Sequence, residues 1–295
     1  CWWRGEHRVA VYRAGRQAMT GAAIEIASHA SRSRFRTIIS TIGLSGVGAI
    51  AVIVALSNVI ARVPAGAVNA GPPSLAPDSH YAFGTDVLGR DVMSETVHAL
   101  TVTFSSAVLA TVIAIVIGAI AGFAAVRAPL RLGAVLRAVS GVLGALPVLL
   151  LAVVGVGLAG HDFAAVAAGL AVSPAIFNRS FDRAIALARS RHAEYARATG
   201  IPGITLFRRD LVYEVRANFI NVTGRALAST TIVLATLGFL GFGAAPPHRD
   251  LGLMIAAARP NYLDVWWPAL FPAVTLTMFI LFARLAAALD EGEPP

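Results

Sequence analysis

The sequence lacks lysine, and it has only one cysteine and few charged residues. All 24 basic residues are arginine, which excludes mechanisms that depend on a lysine side chain. Among these are Schiff-base catalysis and ATP hydrolysis at a P-loop, whose motif ends in Gly-Lys-Ser or Gly-Lys-Thr. Cys1 alone forms neither an intrachain disulfide nor a cysteine metal cluster, and the seven histidines contain no His-Glu-x-x-His pair. We therefore expect no enzyme active site, no metal and no cofactor in this chain.

Charged residues make up 14% of the chain and apolar residues 57%, against about 25% and about 45–50% in soluble proteins. Six segments contain no Asp, Glu or Arg, and they hold between 16 and 31 residues; a helix needs about 20 to cross a bilayer. Alternating strands of the barrel type are absent, so helices are the expected spans. The sequence predicts an all-α integral membrane protein with six transmembrane helices, one in each charge-free segment; these segments are 37–61, 96–126, 138–161, 163–178, 226–248 and 265–283.

The arginines predict the orientation in the membrane. With a cytoplasmic amino terminus, 19 arginines lie inside and four outside, with Arg225 at a helix edge; cytoplasmic segments carry such an excess. We expect both termini to be cytoplasmic, residues 1–37 to form a basic arm near lipid headgroups, and 38–295 to form the transmembrane domain. This location in the cell (inner) membrane accounts for the net charge of +8 without a nucleic-acid partner.

The first apolar run has a second interpretation, a secretory signal cleaved near Ala65-Gly66-Ala67. The basic region before this run has 36 residues and the run itself 25, both longer than secretory signals use. We expect the helix to be retained. Because the chain begins at Cys1 rather than Met, the numbering is expected to start within a longer product.

The loop at 182–217, between helices four and five, is the longest predicted cytoplasmic connection. Residues 182–199 are strong helix formers without Gly or Pro, so they predict a short helix that Gly200 ends. Pro202 and Gly203 predict a turn. A second amphipathic helix is predicted from apolar residues that recur at spacings of three and four, namely Ile204, Phe207, Leu211 and Val215.

On the outside, residues 64–83 are rich in Pro and Gly and predict little regular structure. Thr85 or Asp86 is the expected cap of the second helix. For Asp86, Arg90 and Asp91 we favour a local cap and charge pair, with binding-protein docking or gating as the alternative. The segment 246–250 is either an outside turn or a docking loop. Gly144 and Pro147 are expected to permit a bend in helix three.

Four segments carry a resemblance to a known family. The run Glu194-Tyr195-Ala196-Arg197-Ala198-Thr199-Gly200 resembles the Glu-Ala-Ala-x-x-x-Gly loop of permease subunits in binding-protein-dependent ABC importers. The other three are similar to the C-type permease of the dipeptide, oligopeptide and nickel branch. They are Gly84–Asp91, Leu237–Gly243 followed by Pro246-Pro247, and Trp267–Pro272. The sequence departs from the family pattern at Tyr195, where Ala is usual, and at Tyr213-Glu214, where Pro-Asn is common.

The resemblance implies a non-catalytic subunit that forms half of a translocation pathway. Its implied partners are a second permease subunit, two ATPase subunits that bind ATP and Mg²⁺, and an extracytoplasmic substrate-binding protein. Glu194 and Arg197 are the implied charged contacts with the ATPase, although a solvated helix face is the alternative for Glu194. The implied coupling residues are Glu194, Tyr195, Ala196, Arg197, Gly200, Pro202 and Gly203. The implied solute is a dipeptide or oligopeptide, with nickel or another small solute as the alternative.

An ion-driven secondary transporter or a channel is the competing class. Such proteins carry ionisable residues at membrane depth, and many contain inverted repeats. Here the centres of the predicted helices are nearly free of charge, and no inverted repeat is recognisable. A membrane enzyme is the third reading, and no catalytic constellation supports it. Dependence of transport on ATP distinguishes the first two classes.

Overall fold

The computed structural model describes residues 35–199, 203–244 and 248–288. Within these ranges the chain is helical and contains no strand; Thr85 and Asp91 form one isolated antiparallel bridge. Single 3-10 turns lie at His161–Phe163 and Arg259–Asn261. The α-helices are α1 (Phe35–Ala55), α2 (Ser57–Ile60), α3 (Val92–Arg127), α4 (Leu130–Ala145), α5 (Val148–Ala159), α6 (Ala164–Ala188), α7 (Arg191–Ala198), α8 (Gly203–Phe239), α9 (Leu251–Ala258) and α10 (Trp267–Ala286).

Four helical segments are long and apolar enough to cross a membrane: α1, α3, the Phe219–Phe239 part of α8, and α10. The pair α4 and α5 makes a fifth if it counts as one span. The α6 helix covers the shortest charge-free run and is not in this set. The predicted helical fold is confirmed for the described residues, while the count of six and the cytoplasmic termini stay predictions. Most of the predicted arm 1–37 lies outside the described residues.

The predicted third helix is two helices. Between Ala145 and Val148 the chain bends by 98°. Pro147 has no N–H to donate and disfavours helical geometry in the preceding residue. Leu146 is accordingly extended, with ψ of 145°. The bend expected at Gly144 and Pro147 is therefore present, and it divides the predicted third helix into α4 and α5.

The long loop was predicted to form a helix, a turn and a second helix, and the structure places the boundaries of these helices elsewhere. α6 continues to Ala188 because residues 182–188 are helix formers that extend an existing helix. A break follows at Ser190, whose hydroxyl donates to the Leu187 carbonyl at 2.7 Å and so competes with the helical pattern. The second predicted helix is the first part of the continuous α8. The separate helices at 182–199 and 204–215 were thus wrong in their bounds.

Small residues bring α3 and α6 into close contact. A Cβ at Gly118 would lie 2.7 Å from the carbonyl oxygen of Ser173, one at Gly122 2.6 Å from that of Phe177, and one at Gly169 2.7 Å from that of Ala110. Gly118 and Gly122 form a Gly-x-x-x-Gly pair, which allows membrane helices to pack backbone to backbone. Because the contact positions rise together along both helices, α3 and α6 run parallel.

Apolar side chains cover much of the outer surface of the bundle. Leu130 is 94% exposed, Leu158 85% and Val59 81%. Inside the bundle, Phe279 and Leu237 are fully buried. A protein surface that is apolar over many turns of helix is suited to lipid rather than water.

Candidate functional site

The α7 helix lies at the surface between the ends of two longer helices. It contacts both α6 and α8. Its first turn is held by the Glu194 N–H, which donates to the Ser190 carbonyl at 3.1 Å. Glu194 is exposed, and Tyr195 is 74% exposed. These two side chains are therefore available to a partner protein.

The remaining predicted coupling residues are placed only in part. The backbones of Ala196 and Arg197 belong to α7, and Gly203 begins α8. Gly200 and Pro202 lie outside the described residues. From Gly203 to Phe239 the α8 helix is uninterrupted for 37 residues, a length of about 55 Å. The α8 helix therefore connects the end beside α7 with the glycine-rich segment Leu237–Gly243 without a break.

The α7 helix and the loop before α3 lie at opposite ends of the α3–α6 pair. α6 has 25 residues, which span about 37 Å, more than the hydrocarbon layer of about 30 Å. Its first turn follows His161–Phe163, and its last turn precedes α7. Since α3 runs parallel to α6, the start of α3 lies at the His161 end. We call this the outer face, after the predicted topology.

The loop before α3 has no helix between Arg62 and Asp91. The prediction of little regular structure at 64–83 is confirmed, and tertiary hydrogen bonds fix the loop. The Trp267 Nε1–H donates to the Thr85 carbonyl at 2.8 Å, and the rings of Phe83 and Phe271 stack at 4.1 Å. Two of the resembling segments, Gly84–Asp91 and Trp267–Pro272, therefore meet at the outer face. Their distance in the sequence gave no sign of this contact.

Asp91 is the residue that caps α3. Its carboxylate accepts hydrogen bonds from the N–H groups of Met93 at 3.3 Å and Ser94 at 3.2 Å. The predicted cap at Thr85 or Asp86 was wrong, because the Thr85 hydroxyl already accepts from the Leu75 N–H at 2.9 Å. Asp86 instead closes its own turn: it accepts from the Arg90 N–H at 2.9 Å.

A small cavity of about 50 Å³, which we call the outer cavity, is lined by Asp86, Arg90, Glu95 and Arg249, among others. The Arg90 side chain is 11% exposed and its Nε is 3.9 Å from Asp86 Oδ2. Two of its nitrogens, Nε and Nη1, are buried without a hydrogen-bond acceptor among the described residues. Burial lowers the pKa of Arg249, and the charge of Arg90 lowers it further, while Glu95 and Asp86 act in the opposite direction.

The buried, unpaired N–H groups of Arg90 suit the outer cavity to an added hydrogen-bond acceptor, although two arginines and two carboxylates balance its formal charge. Glu95 is already engaged, since it accepts from the Gly66 N–H at 2.6 Å. A carboxylate that entered between Arg90 and Arg249 would supply an acceptor to buried N–H groups and reduce the repulsion between two guanidinium groups. Sequence reasoning missed Glu95, which looked like an ordinary first-turn residue of a helix.

Comparison with known proteins decides the family. Residues 114–291 match the family described as binding-protein-dependent transport system inner membrane component. The chain belongs to this permease family. The di/tripeptide transport system permease protein DppC of Pseudomonas aeruginosa is 30% identical to it, over 70% of this chain and 69% of the relative. The dipeptide transport system permease protein DppC of Bacillus subtilis is 29% identical over 74% and 70%, and the peptide transport system permease protein SapC of Escherichia coli 29% over 72% and 74%.

In this inner-membrane permease the glycine-rich segment Leu237–Gly243 closes around Asp250. The carboxylate accepts from the Leu253 N–H at 2.9 Å, which caps α9, and from the Ala244 N–H at 3.0 Å. Burial raises the pKa of Asp250, and these backbone hydrogen bonds act against the rise. A Cβ at Gly238 or Gly243 would overlap the carboxylate. The glycines of this motif therefore make room for a buried acid. Of the segment 246–250, Pro246 and Pro247 lie outside the described residues.

Proposed function

We propose that this permease forms half of the translocation pathway of an ATP-driven importer of dipeptides or oligopeptides. The substrate class follows the relatives, whose names specify dipeptides, di- and tripeptides or peptides. The chain itself is non-catalytic in this proposal. Two ATPase subunits bind ATP and Mg²⁺, a second permease subunit supplies the other half of the pathway, and a substrate-binding protein delivers the solute.

The proposed topology has six crossings with both termini in the cytoplasm. The parallel arrangement of α3 and α6 supports it, because the chain between them must return across the membrane. Only α4 and α5 lie in that interval, so together they make one crossing. With α6 as the next crossing, α7 faces the cytoplasm, on the side where ATP is available.

The observation that carries the proposal is the exposed α7 at the end of the continuous α8. Closure of the ATPase subunits on ATP would displace α7, and α6 and α8 would move with it as levers. Glu194 and Tyr195 are the exposed contacts available to the ATPase. At the outer face, the proposed partner is the binding protein, with a carboxylate that enters the outer cavity between Arg90 and Arg249.

Uptake of a radiolabelled dipeptide into proteoliposomes that contain the assembled complex tests the function. We expect uptake only with the binding protein outside and ATP inside. Uptake by the chain without ATPase subunits, driven by an ion gradient, would contradict the proposal and favour a secondary transporter.

Variants of the coupling segment test the mechanism. Gly200→Trp is expected to leave the complex assembled while ATP hydrolysis no longer drives uptake, and Glu194→Ala to weaken ATPase association to a smaller degree. Asp162→Ala is the matched control, because it removes an exposed carboxylate at the opposite end of α6. An uptake rate that Gly200→Trp leaves unchanged would contradict the lever.

A further inference from the structure

A larger cavity lies at the face opposite the outer cavity. It has a volume of about 440 Å³, opens to the surroundings, and lies between the end of α6, the middle of α8 and the end of α10. We call it the inner cavity. Neither the coupling mechanism nor the docking of a binding protein uses it.

The inner cavity is strongly basic. Arginines from three helices line it: Arg179, Arg183, Arg225 and Arg284. The one carboxylate among its described lining residues is Asp182, whose Oδ1 is 3.4 Å from Nη2 of Arg137 on α4. This carboxylate is therefore shared with a guanidinium from a fourth helix. Guanidinium groups match the geometry and charge of phosphate oxygens.

The cavity walls change from charged to apolar along the helices. On α6, Val172, Ile176, Arg179 and Arg183 all line the cavity and follow one another at spacings of three and four, so they form one stripe. From Val172 to Arg183 this stripe extends about 16 Å. Its arginines lie toward the end of the helix and its apolar residues toward membrane depth. A phospholipid has the same gradient, with its phosphate at the surface and its acyl chains below.

A buried polar atom lies in the same wall. Asn221 is 3% exposed, and its Oδ1 has no hydrogen-bond donor among the described residues. An unpaired buried acceptor is unfavourable unless a donor from another molecule reaches it. The hydroxyl groups of a glycerol headgroup are such donors, and so are the O–H groups that inorganic phosphate keeps at neutral pH.

We propose that the inner cavity binds the phosphate of an anionic phospholipid in the cytoplasmic leaflet, with the acyl chain along the apolar part of the α6 stripe. Basic pockets between membrane helices on the cytoplasmic side are suited to such headgroups. The same guanidinium groups would also attract free phosphate, and the apolar wall favours the lipid. The proposal depends on the membrane location and on the proposed topology, and it does not depend on the transported solute.

Lipid selectivity measured without transport tests this proposal. The full chain, with the subunits that co-purify with it, is placed in phosphatidylcholine nanodiscs that contain a trace of spin-labelled phosphatidylglycerol or spin-labelled phosphatidylcholine. The motionally restricted fraction gives the relative association constant. We expect the chain to select phosphatidylglycerol over phosphatidylcholine by roughly tenfold. Equal association of the two lipids would overturn the proposal.

Two double variants locate the selectivity. Arg179→Gln with Arg284→Gln is expected to remove most of it, because both arginines line the inner cavity. Arg36→Gln with Arg131→Gln removes the same charge from the first turns of α1 and α4, on the same predicted side, and is expected to retain the selectivity. An equal loss in both pairs would show general surface electrostatics and overturn the site.

Excess inorganic phosphate distinguishes the two sources of a phosphate group. Failure of phosphate to displace the labelled phosphatidylglycerol supports the lipid. Complete displacement, with no selectivity left, would overturn the lipid in favour of a soluble anion. Because no step of this assay measures uptake, its failure leaves the importer proposal intact, and a failed uptake assay leaves a measured selectivity standing.

Discussion

Gly238→Ala is the substitution whose effect the structure specifies most closely. The new Cβ would lie 2.6 Å from Cγ of Asp250, within the volume that the carboxylate occupies. Since Asp250 is only 7% exposed, its side chain has little room in which to move. We expect the carboxylate to be displaced from the N–H groups of Leu253 and Ala244, which it holds at 2.9 and 3.0 Å.

The magnitude follows from these two hydrogen bonds. Loss of the cap on α9 costs about 0.5–2 kcal/mol, and an Ala244 N–H without its acceptor costs about 1–3 kcal/mol. Because alanine has a higher helix propensity than glycine, the substitution near the end of α8 offsets up to about 1 kcal/mol of this destabilisation. The expected net loss in the free energy of unfolding is about 2 kcal/mol, or roughly thirtyfold in the ratio of folded to unfolded protein.

Equilibrium unfolding by sodium dodecyl sulfate in mixed micelles measures this loss. Gly141→Ala is the control, because a Cβ at Gly141 in α4 meets nothing within 4 Å, and we expect it to be neutral or slightly stabilising. The decisive comparison repeats Gly238→Ala in an Asp250→Ala background, where no carboxylate remains to be displaced. If the free energy lost is the same in both backgrounds, the two residues are not coupled and the reasoning is refuted.

Three further predictions use the same unfolding assay. Thr230→Val removes the buried hydroxyl contact to Thr111 at 2.8 Å and is expected to cost about 1 kcal/mol; no change would contradict a role in joining α3 to α8. Asp91→Ala removes the cap of α3 and is expected to lower the free energy of unfolding by about 1 kcal/mol. Asp91→Asn is expected to lower it less. Burial raises the pKa of Asp250 above its ordinary 3.8. The stability that this shift contributes is therefore fully present below pH 3.8, and it is lost as the pH rises through the higher pKa of the folded protein. We expect Asp250→Asn to remove this part of the dependence of the free energy of unfolding on pH in the acid range. The same slope in the variant and in the wild type would contradict the prediction.

The sequence predicted those features that depend on local composition. The spans α1, α3 and α10 follow from runs of apolar residues, because the length needed to cross a bilayer is a property of the segment alone. The bend at Pro147 follows from the chemistry of proline. The exposed helix that contains Glu194 was also expected, although its start was placed nine residues too early.

Features that depend on distant residues were not predictable in this way. Three candidate caps for α3 stand within seven residues, and hydrogen bonds outside the helix exclude two of them: the Leu75 N–H donates to the Thr85 hydroxyl, and the Arg90 N–H donates to Asp86. The outer cavity joins Arg90 to Arg249, which no local pattern connects. The continuity of α8 was missed for a different reason: an amphipathic stretch and an apolar run were read as two elements, although no Pro or Gly between 204 and 223 interrupts the helix.

The anchoring of α8 bears on the proposed mechanism. At the far end of α8, the Asp250 carboxylate accepts hydrogen bonds from the Ala244 N–H and from the Leu253 N–H in the first turn of α9. The next residue, Leu251, donates its N–H to the Thr103 hydroxyl of α3 at 3.0 Å. An α8 helix that shifts when α7 is displaced must therefore move α9 or break these buried bonds. A flexible connection at that end would absorb the shift, whereas this packed one transmits it to the outer face, where the proposed binding protein delivers the solute.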